Sequence, residues 1–275
     1  MRKRMYLVGA LTLAFAVSIS AIAVGARTVS QSTVADVCAP KNALCKTPIR
    51  TKKRKFKPAK LHVVLAARDS TDPEACRTTA DTNPANPRGC HVPPSSNLVH
   101  VDFDNDIKFS PGAVGKCNPA TINGDSTATA RSQCASALVG TGSGFGRFGT
   151  VGTPGGGDVP VTLSGFNSTN ANQIIFHVDP GFLPFDLVGT LVNSPQPGDF
   201  GKRLSTPVVA PNVLVRFDIT INKGGYVKAR CKDPNRKFNF HYRFNYGDRG
   251  AGANQYPAST DTTYVDKCKR IRPRR

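Results

Sequence analysis

Two histidines and three aspartates are the residues whose types and spacing could do acid–base chemistry in this chain. His100, Asp102, Asp104 and Asp106 recur at every second position of LVHVDFDNDIKF (98–109), and His241 holds the equivalent place in KFNFHYRFNY (237–246). Successive side chains of an extended strand point to opposite faces, so all five would share the polar side of two strands. There His100 or His241 could meet Asp102 or Asp104 across a sheet. Such a pair can pass a proton to and from a substrate, which makes an extracellular hydrolase using His100, Asp102 and His241 one reading. The plainer reading is a solvated strand face whose carboxylates pair with Lys or Arg on a neighbouring strand.

Other chemistries fit less well. Asp102, Asp104 and Asp106 match the opening of a calcium loop, but Ile107 and Ala113 stand where such a loop needs its glycine and its bidentate acid. Alternate carboxylates on a strand lie about 7 Å apart and cannot chelate one ion unaided. Glu74 is the sole glutamate for paired-carboxylate hydrolysis. Ser143 lacks the G-x-S-x-G frame of a nucleophile elbow, since Thr141 and Phe145 replace the two glycines. Gly144, Gly146 and Gly149 match G-x-G-x-x-G, yet the TVGTP that follows denies the helix a dinucleotide site requires. No C-x2-C or C-x4-C spacing suggests metal, so neither a metal nor a cofactor is expected.

The elements that would position these residues are strands. Alternation places Val99, Val101, Phe103, Ile107 and Phe109 on one side of the first segment, and Phe238, Phe240, Tyr242, Phe244 and Tyr246 on one side of the second. The two should share one core. The aromatic row of the second could instead stack sugars or bases, but one-sided alternation favours core. Further strand signals fall at Leu61–Ala67, Val159–Leu163, Gln173–Val178, Phe185–Val192, Val213–Ile221, Tyr226–Cys231 and Thr262–Cys268. Gly140 to Gly157 holds nine glycines and reads as a glycine-punctuated strand around Phe145–Val151 or as a mobile loop. One short helix is expected between Asp125 and Ala137, capped by Asp125 or Ser126. The fold class is mainly β: an antiparallel β-sandwich or open barrel with one short helix and disulfide-stapled loops.

Eight cysteines suit an oxidising space. Spacing does not choose among their many pairings. Neighbour pairing (Cys38–Cys45, Cys76–Cys90, Cys117–Cys134, Cys231–Cys268) closes each loop without linking distant strands and is the expectation. Residues 1–26 read as a signal peptide: a cationic start, an apolar run from Tyr6 to Val24, and a small-residue cleavage site at Val24-Gly25-Ala26. The run is long enough that a retained anchor is the alternative. Asn167 opens an N-x-[ST] sequon, relevant only where secreted proteins are glycosylated.

The formal charge of +19 lies at the ends. Of 37 Lys and Arg residues, 13 fall within 1–60 and six within 267–275, leaving 18 basic against 17 acidic residues in 61–266. A basic groove on the folded body is therefore not implied, and no specific nucleic-acid partner is expected. Residues 27–60 read as a basic linker, 61–268 as a single β-rich domain and 269–275 as a basic tail. Arg50, Lys52, Lys53, Arg54, Lys55, Lys57 and Lys60, with Lys269, Arg270, Arg272, Arg274 and Arg275, are the candidate contacts to an anionic wall polymer or membrane surface. The favoured function is an exported, non-catalytic β-domain, secreted or on the outer face of the cell envelope.

Across 97–144, the DFDND strand (102–106), the CNP turn (117–119) and the alanine-rich helix carrying Cys134 give the chain a pattern that resembles secreted proteins of unknown function from actinobacterial genomes. The resemblance implies export and a β-rich domain. It carries no activity and no site residue with it.

Overall fold

The computed structural model describes residues 27–42, 45, 48–52, 55–208, 213–232, 237–249 and 255–271. The leader, residues 1–26, falls outside these. Among the described residues the strands are β1 (Val29–Cys38), β2 (Arg50–Lys52), β3 (Lys57–Pro58), β4 (Lys60–Asp69), β5 (Ser96–Asp104), β6 (Ile107–Phe109), β7 (Leu138–Arg147) and β8 (Asp158–Asn167). They continue as β9 (Gln173–Asp179), β10 (Phe185–Asn193), β11 (Phe200–Pro207), β12 (Val213–Ile221), β13 (Val227–Ala229), β14 (Lys237–Tyr246), β15 (Ser259–Lys267) and β16 (Lys269–Ile271).

Eleven strands form one antiparallel sheet in the order β1-β4-β12-β7-β8-β9-β10-β11-β5-β14-β15. Its two edges approach each other, which nearly closes the sheet: the backbone N–H of Val37 in β1 donates to Asp266 in β15 at 2.7 Å, and the Tyr264 hydroxyl donates to Asp36 at 3.2 Å. Closing a sheet this way removes the exposed edges that invite aggregation. The register gives every strand an inner face. Leu61, Val63 and Leu65 of β4, Val99, Val101 and Phe103 of β5, Phe217, Ile219 and Ile221 of β12, and Phe240, Tyr242 and Phe244 of β14 point inward together.

One end of the barrel is plugged. The small sheet β3-β13-β6 lies there, with Phe109 packed edge-on against Phe103 (4.9 Å) and Tyr226 (6.2 Å). The other end carries the β9–β10 hairpin, the segment leaving β11 and the long loop 70–95. Helices α2 (Pro119–Ile122) and α3 (Thr127–Gln133) pack outside the barrel, burying Ile122 and Ala130 against Phe166 and Ile175. Asn118 and Ser126 accept the capping N–H bonds of the two helices. Of the helices only α3 was expected. The others, α1 (Ala75–Thr78) and α2, are single turns, too short for a periodic signal.

All four disulfides pair as neighbours: Cys38–Cys45, Cys76–Cys90, Cys117–Cys134 and Cys231–Cys268, with Cα–Cα separations of 5.2, 5.7, 5.4 and 5.7 Å. Four such bridges are consistent with an extracellular or oxidising environment.

Three expectations about the elements need correction. Residues 27–60 are not one linker, because β1 pairs along its whole length with β4 from Val29↔Asp69 to Cys38↔Lys60. Its inner positions Gln31 and Thr33 are polar, so hydrophobic alternation hides the strand; Gln31 instead hydrogen-bonds the Tyr246 hydroxyl. Residues 269–271 are likewise not wholly tail, since β16 pairs in parallel with β2. The glycine-rich strand runs over Leu138–Arg147, ahead of the expected Phe145–Val151.

That strand explains the glycine spacing. Gly140, Gly142, Gly144 and Gly146 pair with Ile221, Ile219, Phe217 and Leu214 of β12, so the glycines occupy the inner face of β7. A Cβ at Gly142 or Gly144 would overlap the carbonyl oxygen of Asp218 or Arg216. Only glycine allows β7 to lie this close to β12. Gly144→Val is expected to destabilise the fold by about 2–4 kcal/mol, read from urea unfolding with disulfides intact. A loss below about 0.5 kcal/mol would contradict that close approach.

Outside the barrel, His62 of β4 bridges both neighbouring strands, to Asp218 Oδ1 at 2.9 Å and Asp36 Oδ2 at 3.5 Å. The hydrogen bond with Asp218, then that with Asp36, raises its pKa from 6.5 to about 9. A folded-state pKa above the unfolded value means the stabilisation is full below about pH 6.5 and is lost as pH rises through 9. Stability should fall by about 1–2 kcal/mol across that window, and His62→Gln should flatten the slope.

Candidate functional site

The inner face of the sheet encloses an apolar cavity. Its wall is built from Leu61, Val63, Val101, Phe103, Ile174, Phe176, Leu187, Leu204, Phe217, Ile219 and Phe244. Two causes create the space. An eleven-stranded sheet closes around a wider interior than side chains readily fill. The glycines at 140, 142, 144 and 146 then leave most of the inner face of β7 without side chains.

The polar lining residues are Ser95, Ser96 and Thr206. All three lie at the end opposite the plug, where Ser96 pairs with Tyr246 and Thr206 with Val99. The cavity is thus greasy throughout its depth and polar at its mouth. A smaller apolar pocket adjoins it, sharing Leu187, Val208 and Leu214 and adding Phe148, Val161, Pro180 and Phe185.

The mouth is held by a buried ion pair between the end of β7 and the start of β8. Arg147, at the end of β7, bonds Asp158 Oδ1 at 2.8 Å and the His91 carbonyl at 2.8 Å, and both members of the charged pair are buried. Asp158 also accepts from the Asp81 N–H at 2.8 Å. Asp69, Asp72 and His91 cluster nearby at distances that could suit a metal ion. Their oxygens are already engaged, however: Asp69 accepts from Arg27, Thr71 and Tyr256, while Asp72 accepts from the backbone and the ring of His91. The cluster works as a knot that pins residues 70–95 to β4.

The proposed acid–base residues lie on the opposite face of the sheet from the cavity. Asp102 and His241 are paired in register and joined at 3.0 Å through Nδ1, one of the His/Asp meetings the alternation left open. Asp102 is wholly buried and also receives both arms of Arg203, at 2.8 Å each, and the Ser194 hydroxyl. Burial pushes the Asp102 carboxyl up, but the bonds from Arg203, Ser194 and His241 outweigh it and hold the carboxyl below the usual range. The other ring nitrogen of His241 lies 3.1 Å from Asp261. With both nitrogens facing carboxylates, neither is left to take a proton from a substrate.

His100 does not join them. Burial, with the Arg203 charge, lowers its pKa, and its Nδ1 has no partner among the described residues. Asp104 and Asp106 are buried as well, contrary to a solvated face. Asp104 accepts from the Asn239 and Asp106 N–H groups, and Asp106 pairs with Arg230 at 2.8 Å. The chain turns at Asn105 between β5 and β6, so the acidic row bends inward under these partners instead of lining one flat strand.

Of the cationic candidates, Lys60 is removed by the structure: it is buried at the start of β4 with Nζ 2.7 Å from the Asn42 carbonyl. Lys55 and Lys57 are exposed beside the plugged end. Arg50, Lys52, Lys269 and Arg270 sit in the β2–β16 pair, and Lys53, Arg54, Arg272, Arg274 and Arg275 lie outside the described residues.

Among the described residues no helix is long and apolar enough to cross a membrane. No family model matches the chain, and neither a curated protein nor a solved structure is found to be similar to it.

Proposed function

We propose that this is an exported, non-catalytic barrel of the cell envelope that holds one apolar or amphiphilic small molecule in its interior. The observation that carries the reading is the cavity itself, hydrocarbon-lined in depth with Ser95, Ser96 and Thr206 gathered at its mouth. Apolar walls of this kind favour an acyl or polyisoprenoid chain, and the hydroxyls suit a neutral or weakly acidic head held at the rim. Catalysis is not what the geometry favours, because the Asp102–His241 pair faces away from the cavity with both imidazole nitrogens engaged.

The cationic ends hold the barrel near anionic wall polymer. Lys55 and Lys57 stand at the plugged end, away from the mouth, so such a contact leaves the cavity accessible. Each exposed Lys or Arg near an anionic surface contributes about 1 kcal/mol at low ionic strength. Envelope retention should therefore fall on replacing Lys53, Arg54, Lys55 and Lys57 by Gln together with truncation after Ile271, which spares Cys268 and Lys60. Unchanged retention at low salt would remove this part of the proposal.

Ligand binding is tested with lauric acid as probe, titrated into the full chain by calorimetry. Saturable one-to-one binding with a negative heat-capacity change is expected for an apolar chain entering the barrel. Absence of binding at millimolar probe would count against the reading.

A further inference from the structure

We propose that the mouth of the barrel docks on a lipid bilayer through the tip of the β9–β10 hairpin, so that the cavity exchanges its occupant directly with the membrane. This rests on the reading of the cavity as an apolar-ligand site.

The hairpin tip reads PGFLPF (180–185), six residues without a charge. Phe182 and Leu183 are 62% and 61% exposed, and Phe148 beside them is 38% exposed. They are three of the five large exposed hydrophobic side chains among the described residues, and they stand together. The Phe182 ring lies 6.2 Å from that of Phe148, and Phe148 lines the small pocket that shares Leu187, Val208 and Leu214 with the main cavity. Apolar surface therefore runs unbroken from the exposed tip to the interior. A contiguous exposed patch at the opening of an apolar cavity marks an interaction surface.

The hairpin is built to present this tip. Gly181 adopts φ +88°, and its N–H donates to Asp179 Oδ1 at 2.7 Å, which fixes the turn. The nearest carboxylates are already hydrogen-bonded. Asp179 also accepts from the Thr127 N–H at 2.7 Å, and Asp186 bonds His177 at 2.8 Å. Residues 180–185, the part that would enter hydrocarbon, carry no charge, and the flanking Asp179 and Asp186 keep their hydrogen-bond partners.

The path of the chain supports a bilayer as the occupant. Arg27 lies at the mouth end, bonded to Asp69 and to the Gly152 carbonyl. The apolar run Tyr6–Val24 ends only two residues before it. Two linking residues span no more than about 10 Å, so whenever that run is in a membrane the mouth is beside the surface.

Neutral chemistry separates this contact from the cationic ends. Rim docking should persist at about 0.5 M salt on vesicles of pure phosphatidylcholine, where screening removes the attraction of lysine and arginine. The full chain lacks tryptophan, so Phe182→Trp supplies a single reporter. Its emission is expected to shift to the blue on these vesicles and to be quenched by brominated lipid. In the mature chain from Arg27, which carries no leader to hold it on the vesicle, Phe182→Ser with Leu183→Ser should lower vesicle partitioning at least tenfold while lauric acid binding in solution stays within twofold of the parent. Unshifted indole emission from the Phe182→Trp variant, or equal partitioning of the double variant, would overturn the proposal, as would recruitment by a protein partner without lipid. If the parent fails to bind lauric acid, the cavity reading fails separately, whatever the vesicles show.

Discussion

Leu187→Trp is expected to lower the affinity for lauric acid at least tenfold while leaving the barrel folded. Leu187 stands on the inner face of β10, in register with Phe176, and borders both the main cavity and the pocket that adjoins it. An indole there would occupy space the ligand needs. In a filled core, so large a substitution would cost about 1–3 kcal/mol through overpacking. Here the added volume goes into the void, so stability should change by less than about 1 kcal/mol. Calorimetric titration beside urea unfolding separates the two effects. Unaltered affinity in a folded variant would place the ligand somewhere other than the barrel interior.

The second large effect concerns the mouth. Asp158→Asn is expected to cost about 3–5 kcal/mol, because it strands the Arg147 guanidinium, 1% exposed, without its counter-charge. The loss should extend beyond the pair. Asp158 also holds the Asp81 N–H, and Arg147 holds the His91 carbonyl, so both ends of the stapled loop depend on the same two side chains. Hydrogen exchange should therefore quicken across residues 76–92. Replacing both residues by leucine should recover part of the loss, since two apolar side chains leave no buried charge behind. A cost under about 1 kcal/mol for Asp158→Asn would show that the pair is better solvated than its burial indicates.

What the chain revealed in advance followed side-chain periodicity. The central strand at Leu98 and the aromatic strand at Lys237 were legible, with His241 and Asp102 on their polar faces, because alternation is a local property of backbone geometry; which histidine meets which aspartate waited on the register. The four bridges were legible because neighbouring cysteines close short loops. Two strands of the large sheet escaped for the same reason. β1 carries Gln31 and Thr33 inside, and β11 contributes Leu204 as its buried aliphatic side chain while Arg203 reaches outward to Asp102. Neither shows hydrophobic alternation, and both owe their places to partners far away in sequence.

The cavity was the hardest feature to read. Its walls are ordinary core residues, and a void is a property of the closed sheet, not of any segment. The one local sign was the alternation of glycines at 140, 142, 144 and 146, which matches the strand period and empties most of one inner face. Read as a nucleotide loop or a mobile stretch, those glycines carry no such message. Likewise Arg203, Ser194 and Asp261, which hold the side chains of Asp102 and His241 in place, could not be assigned without the register that brings them together.

The most direct measurement is methyl-resolved NMR of the full chain during titration with lauric acid. Methyl groups of Val101, Ile174, Leu187, Leu204 and Ile219, all on the cavity wall, should shift together and saturate at one equivalent. The exposed Val192 and Val265 methyls, away from the mouth, should stay still. Shifts confined to surface methyls, with the interior set unmoved at saturation, would contradict a ligand-holding barrel.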